Sequence, residues 1–174
     1  NYKNPTAFGP AITVAISTKA RPNRAQHLAH CLRGLAAQSV QDFEVLICEN
    51  GSPKSKRLKQ TALRKAFPTL DIHVHSLDEA SIPKARNLIT DQARGFYVAV
   101  HDDDDFSTPT RFEEQLECMA ENKGAHGCHS SWIEFNEENG RLTSYLGQDR
   151  RIERLFRQHG KVTLHSTGFY RRDV

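Results

Sequence analysis

Apolar and polar positions in the first part of the chain alternate between two periods, one strand-like and one helical. Ile12-Thr-Val-Ala-Ile16 is a short apolar run rich in β-branched residues and predicts a strand. A polar loop, Ser17 to Asn23, follows. From Arg24 the apolar positions Leu28, Cys31, Leu32, Leu35 and Ala36 recur at helical spacing. Phe43 to Cys48 reads as a second strand, broken by Glu49-Asn-Gly-Ser-Pro53 with Asn-Gly as the turn signal. Lys54 to Phe67 predicts a basic amphipathic helix ended by Pro68, and Ile72 to Ser76 alternates like a third strand. Ser81-Ile-Pro opens another helix, with proline early as helix starts prefer, and the pattern stops at Gly95. Phe96 to Val100 is apolar throughout, which predicts a central strand buried on both faces.

Beyond that strand, Pro109 begins a helix running to about Asn122. Trp132 to Phe135 and Leu142 to Tyr145 flank a turn-rich Asn136 to Gly140, a hairpin signature. A short helix is expected over about 150–159 and a β-like end over 162–170. The order β-α-β-α-β-α-β predicts an α/β fold: an open, mostly parallel, Rossmann-like sheet flanked by helices, with a C-terminal hairpin region. Residues 1–11 read as an extended lead-in and 12–174 as one domain with halves 12–105 and 106–174. Ligands of such sheets sit beyond the carboxyl ends of the strands. Three places qualify: Ser17 to Arg21, Glu49 to Ser52, and Asp102 to Asp105.

Composition narrows the function classes. Lys and Arg number 24 against 21 Asp and Glu, a net charge of +3, and the basic residues form no stripe with interleaved aromatics, so nucleic acid is not the expected partner. No apolar run reaches the length of a membrane span. No basic-then-apolar leader opens the chain, so no retained signal peptide is expected. The start at Asn1 points to processing or to a piece of something larger. The cysteines at 31, 48, 118 and 128 lack C-x-x-C spacing, which argues against zinc and thioredoxin-type redox chemistry. Cys31 and Cys48 fall in apolar patterns as small core residues, and a cytoplasmic location, peripheral at most to a membrane, fits unpaired thiols.

The strongest chemical signal is the run Asp102-Asp-Asp-Asp105 directly after a buried strand. Carboxylates packed this closely repel one another and need a cation or full hydration. A hard divalent ion held by oxygen ligands, Mn²⁺ or Mg²⁺, meets that need and keeps other positions for substrate phosphates. With its neighbours, the stretch Val98-Ala-Val-His-Asp-Asp-Asp-Asp-Phe-Ser-Thr-Pro109 resembles the D-x-D-D-x-x-x-P segment of family-two glycosyltransferases of the GT-A fold. Three more segments are similar in order and spacing. Ile16-Ser-Thr-Lys-Ala-Arg-Pro22 resembles the first-strand motif I-P-T-Y-N-R-P. Gln38 to Ser52 resembles Q-T-y-x-D-F-E-v-I-V-V-D-D/N-G-S. Ala85-Arg-Asn-Leu-Ile89 with Ala93-Arg-Gly-Phe-Tyr97 resembles A-R-N-x-G-I-x-x-A-x-G-x-Y.

The resemblance implies inverting, metal-dependent transfer of a sugar from a nucleotide-sugar, UDP-sugar before dTDP-sugar, to a glycan or lipid-linked acceptor, as in polysaccharide biosynthesis. It implies substrate contacts from Ser17, Thr18, Lys19 and Arg21, from Glu49 and Asn50 at the base, and from Arg86. Asp104 is the expected direct metal ligand. Asp102 and Asp103 are expected on ribose or metal-bound water, with Asp102 also counted toward the metal. The chain departs from the family in carrying Lys19-Ala20 for Tyr-Asn and an amide at Asn50. His165 falls where the family's donor-sugar wall lies. The family's catalytic base follows the F-x-R-R-x-x segment, so the resemblance implies a base beyond Val174. Two rivals stand beside this reading: a sugar nucleotidyltransferase, against which the glycine-free loop Ser17 to Asn23 speaks, and a non-catalytic nucleotide- or glycan-binding module.

Overall fold

The computed structural model describes residues 9–145 and 165–173. The expected lead-in and the short helix over 150–159 therefore lie wholly or mostly outside the described residues. Strand β1 (Ile12–Thr18) is followed by helix α1 (Arg24–Ala36), β2 (Phe43–Asn50), α2 (Gln60–Ala66), β3 (Asp71–Leu77), α3 (Ile82–Gln92) and β4 (Tyr97–Asp102). Then come α4 (Arg111–Glu121), the short β5 (Gly127–His129), the hairpin β6 (Trp132–Asn136) and β7 (Arg141–Tyr145), and β8 (Gly168–Arg171). Strands β1, β2, β3 and β4 and helix α1 all begin and end within two residues of their sequence-based bounds. The basic segment differs. Lys54–Lys56 is a 3-10 turn and only Gln60–Ala66 is α-helical. The reason is local: the Leu58 amide donates to the Glu49 carboxylate at 2.9 Å and the Arg57 backbone is extended, so the helical ladder cannot pass through.

The main sheet has six strands in the order β3-β2-β1-β4-β8-β5. β3, β2, β1 and β4 are parallel, while β8 runs antiparallel to β4 and to β5. The chain winds outward from β1 through β2 to β3, then returns to the other side of β1 for β4. That reversal opens a crevice at the carboxyl ends of β1 and β4, the switch point of doubly wound sheets.

The pleat sorts side chains to two faces with a period of two. Ile12, Val14 and Ile16 of β1, Val45 and Ile47 of β2, and Tyr97 and Ala99 of β4 face one core, with Leu28, Leu32 and Leu35 of α1 and Phe112 of α4. Leu46 and Cys48 of β2 face the other, under Ala85 and Ile89 of α3. Cys31 and Cys48 are buried, as their patterns suggest. No described helix is long and apolar enough to cross a membrane.

Candidate active site

The register of the sheet assembles the site. Ser17 pairs with Asp102 across β1–β4, and Thr18 pairs with Glu49 across β1–β2. Three segments far apart in sequence thus meet at one edge. The same pleat then sends successive residues to opposite faces. Thr18, Glu49, His101 and Asp103 continue the face that meets α1, whereas Ser17, Asn50 and Asp102 continue the face that meets α3.

On the α1 side, Asp103 is buried and its charge is met by the loop after β1. The Thr18 hydroxyl donates to its Oδ2. Arg21 donates from Nη1 to Oδ2 at 2.7 Å and from Nη2 to Oδ1 at 2.9 Å, a bidentate pair. The same Nη2 also reaches Asp104 Oδ2 at 2.9 Å. These bonds raise the Arg21 pKa, chiefly the hydrogen bond to Asp103, so the guanidinium is permanently charged. Lys19, next in the loop, is exposed.

Asp102 stands on the α3 side, where Arg86 is exposed on its helix. Partial burial pushes the Asp102 carboxyl above the ordinary carboxylate range, and the charges of Asp105, Asp104 and Asp103 push it further; Arg86 opposes them. Arg86 also acts on His165, which burial first and Arg86 second hold below the usual imidazole value. Arg86, Asp102 and His165 therefore share one electrostatic neighbourhood. Asp102, hemmed in by its neighbours but open to solvent, and the exposed Asp104 are hard oxygen donors in a turn that remains under-neutralised, and this donor set fits a divalent cation.

A second acidic group, Glu44, Asp71 and His73, lies at the opposite end of the sheet. Arginine already occupies it. Arg94 donates to Glu44 Oε2 and to Asp71 Oδ2, both at 2.6 Å, and Arg64 reaches Asp71 at 3.4 Å. The carboxylates there are paired with guanidinium groups and fit no metal.

Glu49 is not brought into the crevice. It is fully buried beneath α1, where Oε1 accepts from Arg24 Nη1 at 2.7 Å and from the Leu58 amide. Arg24 also donates to the Lys56 carbonyl at 2.6 Å, so the pair ties α1 to the loop after β2. Asn50, on the other face, accepts from the Ser81 amide through Oδ1 at 2.6 Å. Because that partner is a donor, the amide must present its oxygen, and Nδ2 is left as a donor.

A buried network that local sequence patterns do not show lies beneath the acidic turn. His101 Nδ1 lies 2.7 Å from the Asp102 carbonyl, so it carries the proton, and Nε2 accepts from the Ser107 hydroxyl at 2.9 Å. Arg111 Nη1 in turn donates to Ser107 Oγ at 3.0 Å, and Nη2 donates to the Val100 carbonyl. A signal for both buried arginines exists. Arg24 precedes Leu28 by four on the apolar stripe of α1, and Arg111 precedes Gln115 and Met119 on that of α4. A charge on the buried stripe of a first turn has to meet a partner from the sheet.

Known proteins similar to this chain share one family and one fold. A model described as glycosyl transferase family 2 matches residues 13–174. An uncharacterized glycosyltransferase of Methanocaldococcus jannaschii is 26% identical over 76% of this chain and 45% of its own length. Glycosyltransferase GlyG of Streptococcus pneumoniae serotype 4 is 24% identical over 84% of this chain and 50% of its own. The chain thus spans about half the length of the curated relatives it matches. Among solved structures, S. aureus TarS superposes with a TM-score of 0.63 at 22% identity over 92% of this chain and 28% of TarS. A TarS 1–349 complex with UDP gives 0.62 at 22% identity, over 92% of this chain and 46% of that one. At such identity the likeness speaks for the GT-A fold.

Proposed function

The chain belongs to glycosyl transferase family 2, and from that premise we propose that its crevice binds the nucleotide diphosphate of a UDP-sugar through a divalent cation, for inverting transfer of the sugar to a glycan acceptor. The observation that carries this reading is the meeting of Ser17, Arg21, Arg86 and the acidic turn at the switch point of the sheet. Solved complexes of TarS 1–349 with UDP and with UDP-GlcNAc share the fold and support a nucleotide-sugar donor.

Asp102 and Asp104 would hold the cation, Mn²⁺ or Mg²⁺, which when bound would supply neutralisation of the departing diphosphate. Arg86 adds a second positive charge to the diphosphate on the α3 side. Thr18 and Arg21 keep Asp103 turned inward, so the two flanking carboxylates face the ligand. Ser17 and Lys19 line the mouth of the crevice. Asn50 contributes to base choice: with Oδ1 committed to Ser81, its Nδ2 donates to a base carbonyl. Glu49 acts through position, by way of Arg24. An acceptor hydroxyl attacks the anomeric carbon from the face opposite the diphosphate, the bond from that carbon to the diphosphate oxygen breaks as the new one forms, and a carboxylate base takes the hydroxyl proton.

Calorimetric titration of UDP tests the reading. Binding is expected with Mn²⁺ or Mg²⁺ and a loss of at least tenfold in EDTA, and equal affinity in both overturns the metal bridge. Titrating UDP, dTDP and GDP into Asn50→Asp tests base choice. The ratio of the three affinities is expected to change, because the introduced carboxylate would keep the Ser81 bond but lose the donor; a uniform fall assigns the turn a structural role only.

A further inference from the structure

Arg21 binds its two carboxylates unequally. Asp103 is 7% exposed in its side chain and receives both Nη groups and the Thr18 hydroxyl; Asp104 is 53% exposed and receives one bond, from Nη2. Nη2 has two N–H groups, one for Asp103 Oδ1 and one for Asp104 Oδ2, so the second can be surrendered without disturbing the first. We propose that Arg21 is the built-in counter-ion of the acidic turn: it neutralises Asp104 while the crevice is empty, releases it when a divalent cation binds, and turns the freed N–H to the diphosphate, with Asp103 as a fixed hinge. This rests on the preceding reading that Asp102 and Asp104 hold the cation.

Three physical points favour it. The Asp104 bond is an exposed ion pair, of the kind that is held weakly and exchanges readily. The Asp103 pair is buried and bidentate, so the guanidinium stays at the switch point after letting go. A fixed positive charge beside a metal ligand also opposes cation binding when no anion is present, and favours it once a diphosphate arrives to share both charges. Arg21 thereby couples the two ligands: cation alone binds poorly, cation with nucleotide binds well.

The test is a Mn²⁺ titration of the chain followed by electron paramagnetic resonance, without and with UDP. Without nucleotide, Arg21→Gln is expected to bind Mn²⁺ about two- to fivefold more tightly than the wild type, the size of one screened surface pair. With saturating Mn²⁺, the same variant is expected to bind UDP about tenfold or more weakly, the loss of a charge-assisted hydrogen bond. Unchanged or weaker Mn²⁺ binding by Arg21→Gln, beside a wild type that binds Mn²⁺, overturns the inference alone. No Mn²⁺ binding by any variant, UDP present, overturns the metal reading and the inference with it. Should Arg21→Gln fail to fold by circular dichroism, Arg21→Lys takes its place. Its single ammonium is expected to stay on Asp103 and raise Mn²⁺ affinity about twofold, and no rise overturns the inference.

Discussion

His101 sits one residue before the acidic turn and yet carries no charge. Burial, then the charge of Arg111, hold its pKa down at about 4 against a usual 6.5. Its neutral ring can donate from Nδ1 to the Asp102 carbonyl and accept at Nε2 from Ser107; a protonated ring would lose the second bond. A pKa depressed by folding contributes stability that is present above the unfolded value and lost as pH falls toward the folded one. In metal-free buffer, urea unfolding should therefore lose up to about 3 kcal/mol between pH 6.5 and 4 through this residue, at about 1.4 kcal/mol per unit of pKa. His101→Asn, which keeps a donor for the Asp102 carbonyl, should show a flatter pH profile. An equally steep profile would assign the loss to the carboxylates. In the sequence, His101 is legible as a polar residue at an apolar strand position, close enough to touch the acidic loop. Its tautomer depends on Ser107 and Arg111, which approach from α4 and its preceding loop.

At the scale of elements, β2 is buried at every residue and carries a glutamate near each end. Each is matched by an arginine from elsewhere in the chain, Glu44 by Arg94 and Glu49 by Arg24. Removing one partner of such a pair strands a buried charge, so Arg24→Met should cost about 3–5 kcal/mol in chemical unfolding. A cost below about 1 kcal/mol would mean that water replaces the guanidinium. The turn after β2 is equally constrained. Gly51 has φ +72°, and a Cβ there would lie 2.5 Å from the Ala80 amide nitrogen. Gly51→Ala should lower the melting temperature by several degrees, more than the left-handed backbone alone demands, because the Ala80–Ser81 segment must move and the Asn50 bond goes with it. An unchanged melting temperature would show that the loop yields freely. The Asn-Gly pair announced this turn in the sequence. The close approach of Ala80 did not appear there, since it belongs to the connection between β3 and α3.

For the whole molecule, the acidic turn gathers like charge at a cost to stability, which the proposed cation and diphosphate would offset. Asp102 is held above its ordinary range by burial and by three like charges. Replacing it should therefore stabilise the empty protein and harm the loaded one. Asp102→Asn is expected to raise the melting temperature in EDTA and to lack the further rise expected of the wild type with Mn²⁺ and UDP. A fall in EDTA would show that Asp102 makes a structural contact that outweighs the repulsion. The same trade-off does not apply to Asp103, whose charge is answered within the fold by Thr18 and Arg21. Asp103→Asn should destabilise.

Hydrophobic period alone determined most of the elements of this chain, because strand and helix cores are written in local spacing: β1, α1, β2, β3, β4 and the hairpin all stand where their apolar positions put them. The acidic run after β4 and its neighbours in order also sufficed to indicate the family, and they mark the end of the sheet proposed here for the ligand. Local spacing could not say which aspartate does what. The tetrad is four identical letters, and their division follows from the pleat, which turns Asp103 toward α1 and Asp102 toward α3, and from the β1–β4 pairing that sets Ser17 opposite Asp102. Nor could it show that Glu49 is withdrawn beneath α1 while Asn50 faces α3. Those assignments depend on partners 25 and 31 residues away, Arg24 and Ser81. Only the packed sheet and helices bring such partners within hydrogen-bonding distance.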